Sequence, residues 1–160
     1  MAKRRGYLIA LEGVDGAGKS TQARLLTRWF GTVGLKAVYT YEPTDGPVGR
    51  LVRKHLAGRL RFSEETAALL FAADRLEHLN TVIRPALTRG VTVVSDRYLH
   101  SSIAYQSAST GKPEWVERIN SLSPEPDLSI FLDIPVETAL KRLRVRRSEI
   151  YEKRKFLRSV

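Results

Sequence analysis

The segment that most constrains the fold is Gly13–Ser20, GVDGAGKS, which matches the phosphate-binding pattern G-x-x-x-x-G-K-[ST] in full. This pattern functions where a strand leads into a glycine-rich loop and the loop opens a helix. Both neighbours are present: Tyr7–Leu11 is a short apolar run suited to a strand, and Thr21–Phe30 is predicted to be a helix with Leu25 and Trp29 among its packing residues. The segment therefore predicts a strand, loop and helix that bind a nucleoside triphosphate.

The residue types in this loop suit a triphosphate. Glycines let successive backbone N–H groups approach the phosphates, and the helix that follows directs its positive end towards them. Lys19 can reach the β- and γ-phosphates, and the Ser20 hydroxyl can ligate the Mg²⁺ that accompanies the nucleotide. The predicted nucleotide-binding residues are Gly13, Val14, Asp15, Gly16, Ala17, Gly18, Lys19, Ser20 and Thr21.

The rest of the chain alternates β-rich runs with helical segments. Further strands are predicted at Lys36–Tyr41, Val91–Ser95 and Leu128–Leu132, and helices from Pro47 to about Ala57 and from Ser63 to about Arg84, where Pro85 is expected to kink or stop the helix. The strands do not alternate strictly between apolar and polar residues, which is typical of a parallel sheet covered on both faces. The predicted fold is a three-layer α/β domain with an open parallel sheet.

Ligands of such sheets bind beyond the carboxyl ends of the strands. The segments at these ends are Glu12–Ser20, Glu42–Asp45, Asp96–Tyr98 and Asp133–Pro135. An acidic residue at the end of a buried strand can hold magnesium, and Asp96 fits that role best. An aspartate in this position can also be a helix N-cap, and for Asp133 the N-cap is the preferred interpretation.

The predicted helix from Ser63 to Arg84 has two faces. A core stripe is predicted from the spacing of Leu69, Ala72, Leu76, Leu79 and Ile83. Phe71, Arg75 and His78 lie roughly 100° away on a non-core face. An aromatic ring and an arginine on such a face can stack on and hydrogen-bond a planar base, although an ordinary helix flank has the same composition.

A similar arrangement follows the third strand. Arg97 at the strand end can hold a phosphate bidentately, which a lysine does not reproduce. Tyr98, Ser102 and Tyr105 share one helical face and can contact a sugar or base, although buried tyrosines that pack with a satisfied hydroxyl are common.

Composition favours a single domain of residues 1–160 in the cytoplasm. The chain has no cysteine, no signal-peptide pattern and no apolar run long enough to span a membrane. The net charge of +10 allows a nucleic-acid partner. No recognisable nucleic-acid module accompanies the charge, however, and an enzyme with two anionic substrates also needs arginines, so neither a nucleic acid nor a membrane is expected as a partner.

An ordered set of motifs resembles the thymidylate kinase family and extends from about Tyr7 to Arg147. The set comprises GVDGAGKSTQ at 13–22, EPT at 42–44, FAADR at 71–75, DRY at 96–98 with Ser101, AYQ at 104–106, and PDL at 126–128 leading to DIP at 133–135. The resemblance implies a P-loop NTPase fold. It also implies transfer of the γ-phosphoryl group of ATP to dTMP for dTTP synthesis, with Mg²⁺ and a homodimer.

The resemblance also implies a role for each matching residue. Asp15 would lie near the sugar 3′-hydroxyl and the acceptor phosphate, and Arg97 would hold that phosphate. Phe71 would stack on thymine, and Arg75 would bond its carbonyl edge. The other substrate contacts implied are Ser102 at the base, Tyr105 where a 2′-hydroxyl must be rejected, Glu42 in the Glu-Pro turn, and Arg53 in the helix after that turn, as a further phosphate contact.

Some family members carry a catalytic arginine inside the phosphate loop, at the position occupied here by Gly16. Members that lack it supply arginines from a mobile lid, predicted here at about residues 142–150. The candidate catalytic residues are accordingly Lys19, Asp15, Arg97, Arg144, Arg146 and Arg147, with Arg142 beside them.

Family members usually extend beyond the position of Val160, with a fifth strand and a closing helix that are not expected within these 160 residues. Two alternatives to a thymidylate kinase stay open. One is another nucleoside monophosphate or small-molecule kinase, because the phosphate loop and sheet are shared. The other is a paralogue that binds nucleotide without turnover.

Overall fold

A computed structural model describes residues 5–143, and the side chains of residues 5–142. Its centre is a four-stranded parallel sheet in the order β2-β3-β1-β4. The strands are β1 Leu8–Glu12, β2 Ala37–Tyr41, β3 Thr92–Asp96 and β4 Leu128–Phe131. The predicted open parallel α/β sheet is confirmed, and each predicted strand starts or ends within one residue of the observed one.

Helices connect the parallel strands. They are α1 Lys19–Thr32, α2 Pro47–Leu56, α3 Glu64–His78, α4 Arg84–Thr88, α5 Leu99–Thr110, α6 Pro113–Ile119 and α7 Val136–Leu143, with a π-helical turn, Leu79–Ile83, between α3 and α4. Within residues 5–143, no helix combines the length and the apolar character needed to cross a membrane.

The two inner strands of the sheet, β1 and β3, lie in the core. All five residues of β1 and of β3 are buried, as expected for strands covered on both faces. Strand β4 lies at one edge of the sheet, and its Leu128 and Phe131 are 51% and 67% exposed. The ligand-binding edge is formed where β1 and β3 end, because Leu11 pairs with Asp96 and the Arg97 N–H donates to the Leu11 carbonyl (3.0 Å).

The long helical segment differs from its prediction at both faces. Ser63 caps α3 as predicted, since its hydroxyl accepts from the Thr66 N–H (3.2 Å). Pro85 was predicted to kink or stop the helix, and it does not stop it, because the π-helical turn leads directly into α4, which includes Pro85. The prediction of Leu69 as core was wrong, as it is 50% exposed, while Arg75 on the predicted non-core face is 1% exposed. Because α3 packs against both α2 and α5, it buries part of its polar face as well.

Helix α1 also buries less than predicted. Ala23 is fully buried, but Leu25 and Trp29 are 45% and 54% exposed. Their prediction as packing residues was therefore wrong. Helix α1 packs against β1, β2 and β3 through only a narrow part of its surface.

Candidate active site

The phosphate loop runs between β1 and α1 in the geometry that its glycines predict. Gly13, Gly16 and Gly18 all have positive φ, at 135°, 84° and 99°. A Cβ at Gly13 would lie 2.8 Å from the Leu132 carbonyl oxygen, and one at Gly16 would lie 2.7 Å from the Ala139 carbonyl oxygen. Two of the glycines are thus required both by backbone conformation and by the close approach of the chain that follows β4.

Lys19 is folded into the loop rather than extended into solvent. Its Nζ donates to the Val14 carbonyl (2.8 Å) and lies 3.9 Å from Asp15 Oδ1, and the residue is 6% exposed. Burial, reinforced by repulsion from Arg97, lowers the pKa of Lys19 from 10.5 to about 8. The lysine is therefore an under-compensated charge that a polyphosphate would stabilise.

Ser20 and Asp96 form the candidate magnesium site. The Ser20 hydroxyl donates to the Asp96 carboxylate, which places both oxygens together at the beginning of α1. Among the described residues there is no group of three or more His, Cys, Asp or Glu side chains that could hold a metal. This pair suits Mg²⁺, which takes few protein ligands and completes its coordination with water and substrate phosphates.

Arg97 is held in a constrained turn after β3. Its φ is 69°, a left-handed conformation that is uncommon outside glycine. The buried Ser95 hydroxyl donates to the Arg97 carbonyl (2.7 Å) and fixes this turn. The guanidinium donates to Ser101 Oγ (2.8 Å) and to Asp15 Oδ1 (2.5 Å), and it lies 4.9 Å from the centre of the Tyr105 ring. Arg97 therefore points from the strand end towards the phosphate loop.

Asp15, Arg97 and Tyr105 meet beside the phosphate loop and form a junction whose charges are well defined. Burial acts to raise the pKa of Asp15, but Arg97 and Lys19 outweigh it, and the pKa lies below its ordinary value. Burial acts to lower the pKa of Arg97, but the Asp15 carboxylate more than compensates and raises it. Burial is also the main cause that raises the pKa of Tyr105. At neutral pH the junction therefore contains a carboxylate, a guanidinium and a neutral phenol.

Two clefts meet at this junction. The first, of about 920 Å³, extends along the phosphate loop past Lys19, Ser20 and Arg24. The second, of about 290 Å³, lies between α2, α3 and α5 and is lined by Leu56, Phe71, Arg75, Tyr98, Ser101, Ser102, Tyr105 and Gln106 among others. Both clefts are lined by Asp15, Ser20, Glu42, Pro43, Arg53 and Arg97.

Arg75 occupies the floor of the second cleft as part of a buried hydrogen-bond system. Its Nε and Nη2 donate to Glu42 Oε2 (2.9 and 2.7 Å), and Nη1 donates to Asn120 Oδ1 (2.6 Å). Nη2 also donates to Ser102 Oγ (3.0 Å) and to the Tyr98 carbonyl (3.1 Å). Phe71 and Arg75, which were predicted to share a non-core face, both line this cleft, but the arginine is part of the buried interior and not of an exposed helix flank.

Arg53 and Arg142 lie at the edges of the clefts. Arg53 donates to the Pro43 carbonyl and lies 3.5 Å from Asp45 Oδ1. Arg142 donates to the Gly16 carbonyl (3.1 Å) and lines the first cleft. Asp133 is exposed and lines neither cleft. The predicted lid residues Arg144, Arg146 and Arg147 lie outside the described residues.

Two buried polar residues in or behind the second cleft, Gln106 and Asn120, were not predicted as site residues. Gln106 is 2% exposed, and its Oε1 has no hydrogen-bond partner in the structure although it lines the cleft. Its position directly after Tyr105 was the available signal. Asn120 is also buried and holds Arg75, but it lies 45 residues away in sequence and no motif indicated it.

The sequence profile of the thymidylate kinase family matches residues 11–160. The chain belongs to the thymidylate kinase family. A probable thymidylate kinase of Pyrococcus abyssi is 50% identical over 147 residues, which cover 89% of this chain and 72% of the relative. The thymidylate kinase of Desulfotalea psychrophila is 41% identical over 149 residues, covering 93% and 74% of the two chains.

A solved structure gives the same result. Thymidylate kinase from Candida albicans superposes with a TM-score of 0.81 and 30% identity, over 97% of this chain and 74% of that one. The resemblance to the family is therefore confirmed in both sequence and fold. Family membership also confirms the prediction of an ATP-dependent thymidylate kinase.

Proposed function

We propose that the protein transfers the γ-phosphoryl group of ATP to dTMP, giving ADP and dTDP for dTTP synthesis. The observation that carries this proposal is the meeting of two clefts at Asp15 and Arg97. One cleft has a phosphate loop, and the other has an aromatic side chain and buried hydrogen-bonding groups. Phosphoryl transfer depends mainly on positioning and electrostatic stabilisation, and this junction can provide both.

The first cleft is the proposed donor site. The loop N–H groups, Thr21 and Lys19 bind the ATP phosphates, and the positive end of α1 adds to their attraction. Ser20 and Asp96 are the residues that would hold Mg²⁺, which neutralises charge on the β- and γ-phosphates when it is bound. The hydrogen bond between these two side chains supports this assignment, because it keeps both oxygens together at the beginning of α1.

The second cleft is the proposed acceptor site. Phe71 packs with Leu56 and Tyr105 in one apolar cluster and offers a ring for thymine to stack on. Arg75, Ser102 and Gln106 supply polar atoms around the base. The free Oε1 of Gln106 is a hydrogen-bond acceptor without a partner, so a base N–H would relieve a buried unsatisfied atom.

Sugar and phosphate occupy the junction in this proposal. Arg97 binds the acceptor phosphate, and the sugar 3′-hydroxyl donates a hydrogen bond to the Asp15 carboxylate. The direct ion pair between Asp15 and Arg97 supports this assignment, because it holds both side chains where the two clefts meet. Tyr105 lies against Arg97 (3.4 Å from its hydroxyl), where its ring excludes a 2′-hydroxyl.

A further arginine is proposed to stabilise the transferred phosphoryl group. Because position 16 is glycine, the phosphate loop contains no arginine, and a Cβ there would collide with the backbone of α7. Arg142 already reaches the Gly16 carbonyl from α7. This contact supports a supply of arginines from the segment that begins there, with Arg144, Arg146 and Arg147 as the catalytic candidates.

We also propose a single domain that acts as a homodimer in the cytoplasm, where both phosphorylated substrates are held because they do not cross membranes unaided. Neither a nucleic acid nor a membrane is a proposed partner. Sedimentation of the purified chain at twice the monomer mass would support the dimer, and a monomeric mass at micromolar concentration would contradict it.

The decisive experiment compares acceptors. With saturating ATP and Mg²⁺, kcat/KM is measured for dTMP and for uridine, adenosine and guanosine monophosphates. We expect dTMP to be clearly the best acceptor. A preference for another monophosphate would assign the chain to a different kinase activity, and nucleotide binding without product would identify an inactive paralogue.

A further inference from the structure

A buried histidine continues the hydrogen-bond system behind the second cleft. His78 on α3 is 2% exposed. Its Nδ1 lies 3.0 Å from Glu42 Oε1, and its Nε2 lies 2.6 Å from the Thr40 hydroxyl on β2. His78 does not line either cleft, so it has no direct access to a substrate in the proposed function.

The chemistry of the partners sets the direction of these bonds. Glu42 is paired with Arg75, and an ionised carboxylate only accepts hydrogen bonds. Nδ1 of His78 must therefore carry a proton and donate to Glu42. The neutral Nδ1–H form leaves Nε2 as an acceptor for the Thr40 hydroxyl. Every polar atom of His78 is then satisfied while Glu42 and Arg75 keep opposite charges.

Glu42 is held between two residues of α3. One carboxylate oxygen accepts both bonds from Arg75, and the other accepts the bond from His78. The side chain of Glu42 is 4% exposed, so water cannot readily replace either partner. Rotation of this carboxylate would change the orientation of the Arg75 guanidinium, whose Nη2 also reaches Ser102 in the second cleft.

We propose that His78 is a positioning residue for base recognition: it fixes the Glu42 carboxylate, which in turn orients Arg75 against the base in the second cleft. This inference rests on the proposed function, because it assigns the second cleft to a nucleobase. His78 acts through two other residues and does not touch the substrate. Its loss should therefore affect the acceptor base and leave ATP binding unchanged.

Three substitutions separate the two ring nitrogens. His78→Asn retains an amide N–H near the Nδ1 position and keeps a donor for Glu42. His78→Gln places its amide near the Nε2 position and keeps only the Thr40 contact. His78→Leu removes both contacts at similar volume. His55→Leu is the matched control, because His55 is another buried histidine (3% exposed) whose Nδ1 accepts from the Phe62 N–H and which has no contact with Glu42.

The experiment measures kcat and KM for dTMP, KM for ATP, and the ratio of kcat/KM between dTMP and dCMP, which differ at the base edge. We expect His78→Leu and His78→Gln to raise KM for dTMP about tenfold and to reduce the dTMP/dCMP ratio by a similar factor, as for a buried charge-assisted hydrogen bond. KM for ATP should stay within about twofold. His78→Asn should recover most of both losses.

Several results would overturn the inference. One is a His78→Leu variant that is destabilised like His55→Leu but retains the base ratio and KM for dTMP of the wild type. Another is an equal rise in both KM values, which would indicate general loosening. A third is rescue by Gln and not by Asn. If the wild-type chain itself does not bind or phosphorylate dTMP, the proposed function fails together with the inference, which distinguishes this outcome from the others.

Discussion

Replacing Lys19 with methionine should make the nucleotide-free protein more stable while it weakens ATP binding. Lys19 is buried in the phosphate loop, and its pKa falls from 10.5 to about 8, mainly because burial penalises the charged form. The folded protein therefore holds this proton less tightly than the unfolded chain does. Methionine has a similar length and carries no charge, so the substitution removes the penalty.

The size of the effect follows from the pKa. One pKa unit corresponds to about 1.4 kcal/mol, so the fall from 10.5 to about 8 is a penalty of roughly 3 kcal/mol. Methionine leaves the Val14 carbonyl without its donor, which costs about 1 kcal/mol. The net gain in the free energy of unfolding is about 2 kcal/mol near pH 7, or a rise in Tm of roughly 4–8 °C.

The pH dependence has a defined sign. Between pH 8 and 10.5 the unfolded chain binds more protons at Lys19 than the folded protein does, so wild-type stability rises with pH in this interval. The penalty is complete below pH 8 and absent above pH 10.5. The advantage of Lys19→Met should therefore be largest at pH 7 and shrink as the pH approaches 10.

Urea unfolding of both proteins without nucleotide, at pH 7, 8, 9 and 10, measures this difference. Lys54→Met is the control, since Lys54 is exposed on the neighbouring helix α2 and should change stability little at any pH. The reasoning is refuted if Lys19→Met is less stable than the wild type at pH 7, or if its advantage does not change with pH. In parallel, ATP should stabilise the wild type much more than the variant.

Substitutions at three further positions test the junction and the loop. Arg97→Lys should lower kcat at least about tenfold because bidentate phosphate geometry is lost, whereas Arg118→Lys at an exposed site should have no effect. A near-normal rate for Arg97→Lys would exclude bidentate binding of the acceptor phosphate by Arg97. Tyr105→Phe should keep the preference for dTMP over the corresponding ribonucleotide and Tyr105→Ala should lose it; equal losses would indicate a role for the hydroxyl instead. Gly16→Ala should weaken ATP binding and destabilise the protein by more than the roughly 1–2 kcal/mol expected for Gly34→Ala. Both glycines have positive φ, but of the two only Gly16 would bring its Cβ against backbone atoms. Equal destabilisation of the two variants in urea unfolding would contradict the close approach at Gly16.

Strand positions and the geometry of the phosphate loop were predictable because their signals are local. The apolar runs mark β1 and β3, and the glycine spacing in the phosphate loop matches a fixed backbone geometry. The pairing of Ser20 with Asp96 followed from the rule that parallel strands present their carboxyl ends at one edge. In the strands and the phosphate loop, burial or backbone conformation alone accounts for the residue type at each of these positions.

The interior of the acceptor cleft was less predictable because its contacts join distant elements. Helical periodicity assigns faces by hydropathy, so it placed Arg75 and His78 away from the core. Both side chains are instead buried against their partner Glu42, which directly follows β2. The partner of Arg75 at Asn120 and the free oxygen of Gln106 depend on the packing of α5 and α6. Such polar contacts leave no periodic signal in a single sequence.

The account depends most on two substrates meeting at Asp15 and Arg97, and a crystal structure with dTMP and a non-hydrolysable ATP analogue tests this directly. We expect thymine to stack on Phe71 with a hydrogen bond to Gln106, the dTMP phosphate on Arg97, and the analogue's triphosphate in the loop around Lys19. Thymine bound outside the cleft between α3 and α5, or both nucleotides competing for the phosphate loop, would contradict it.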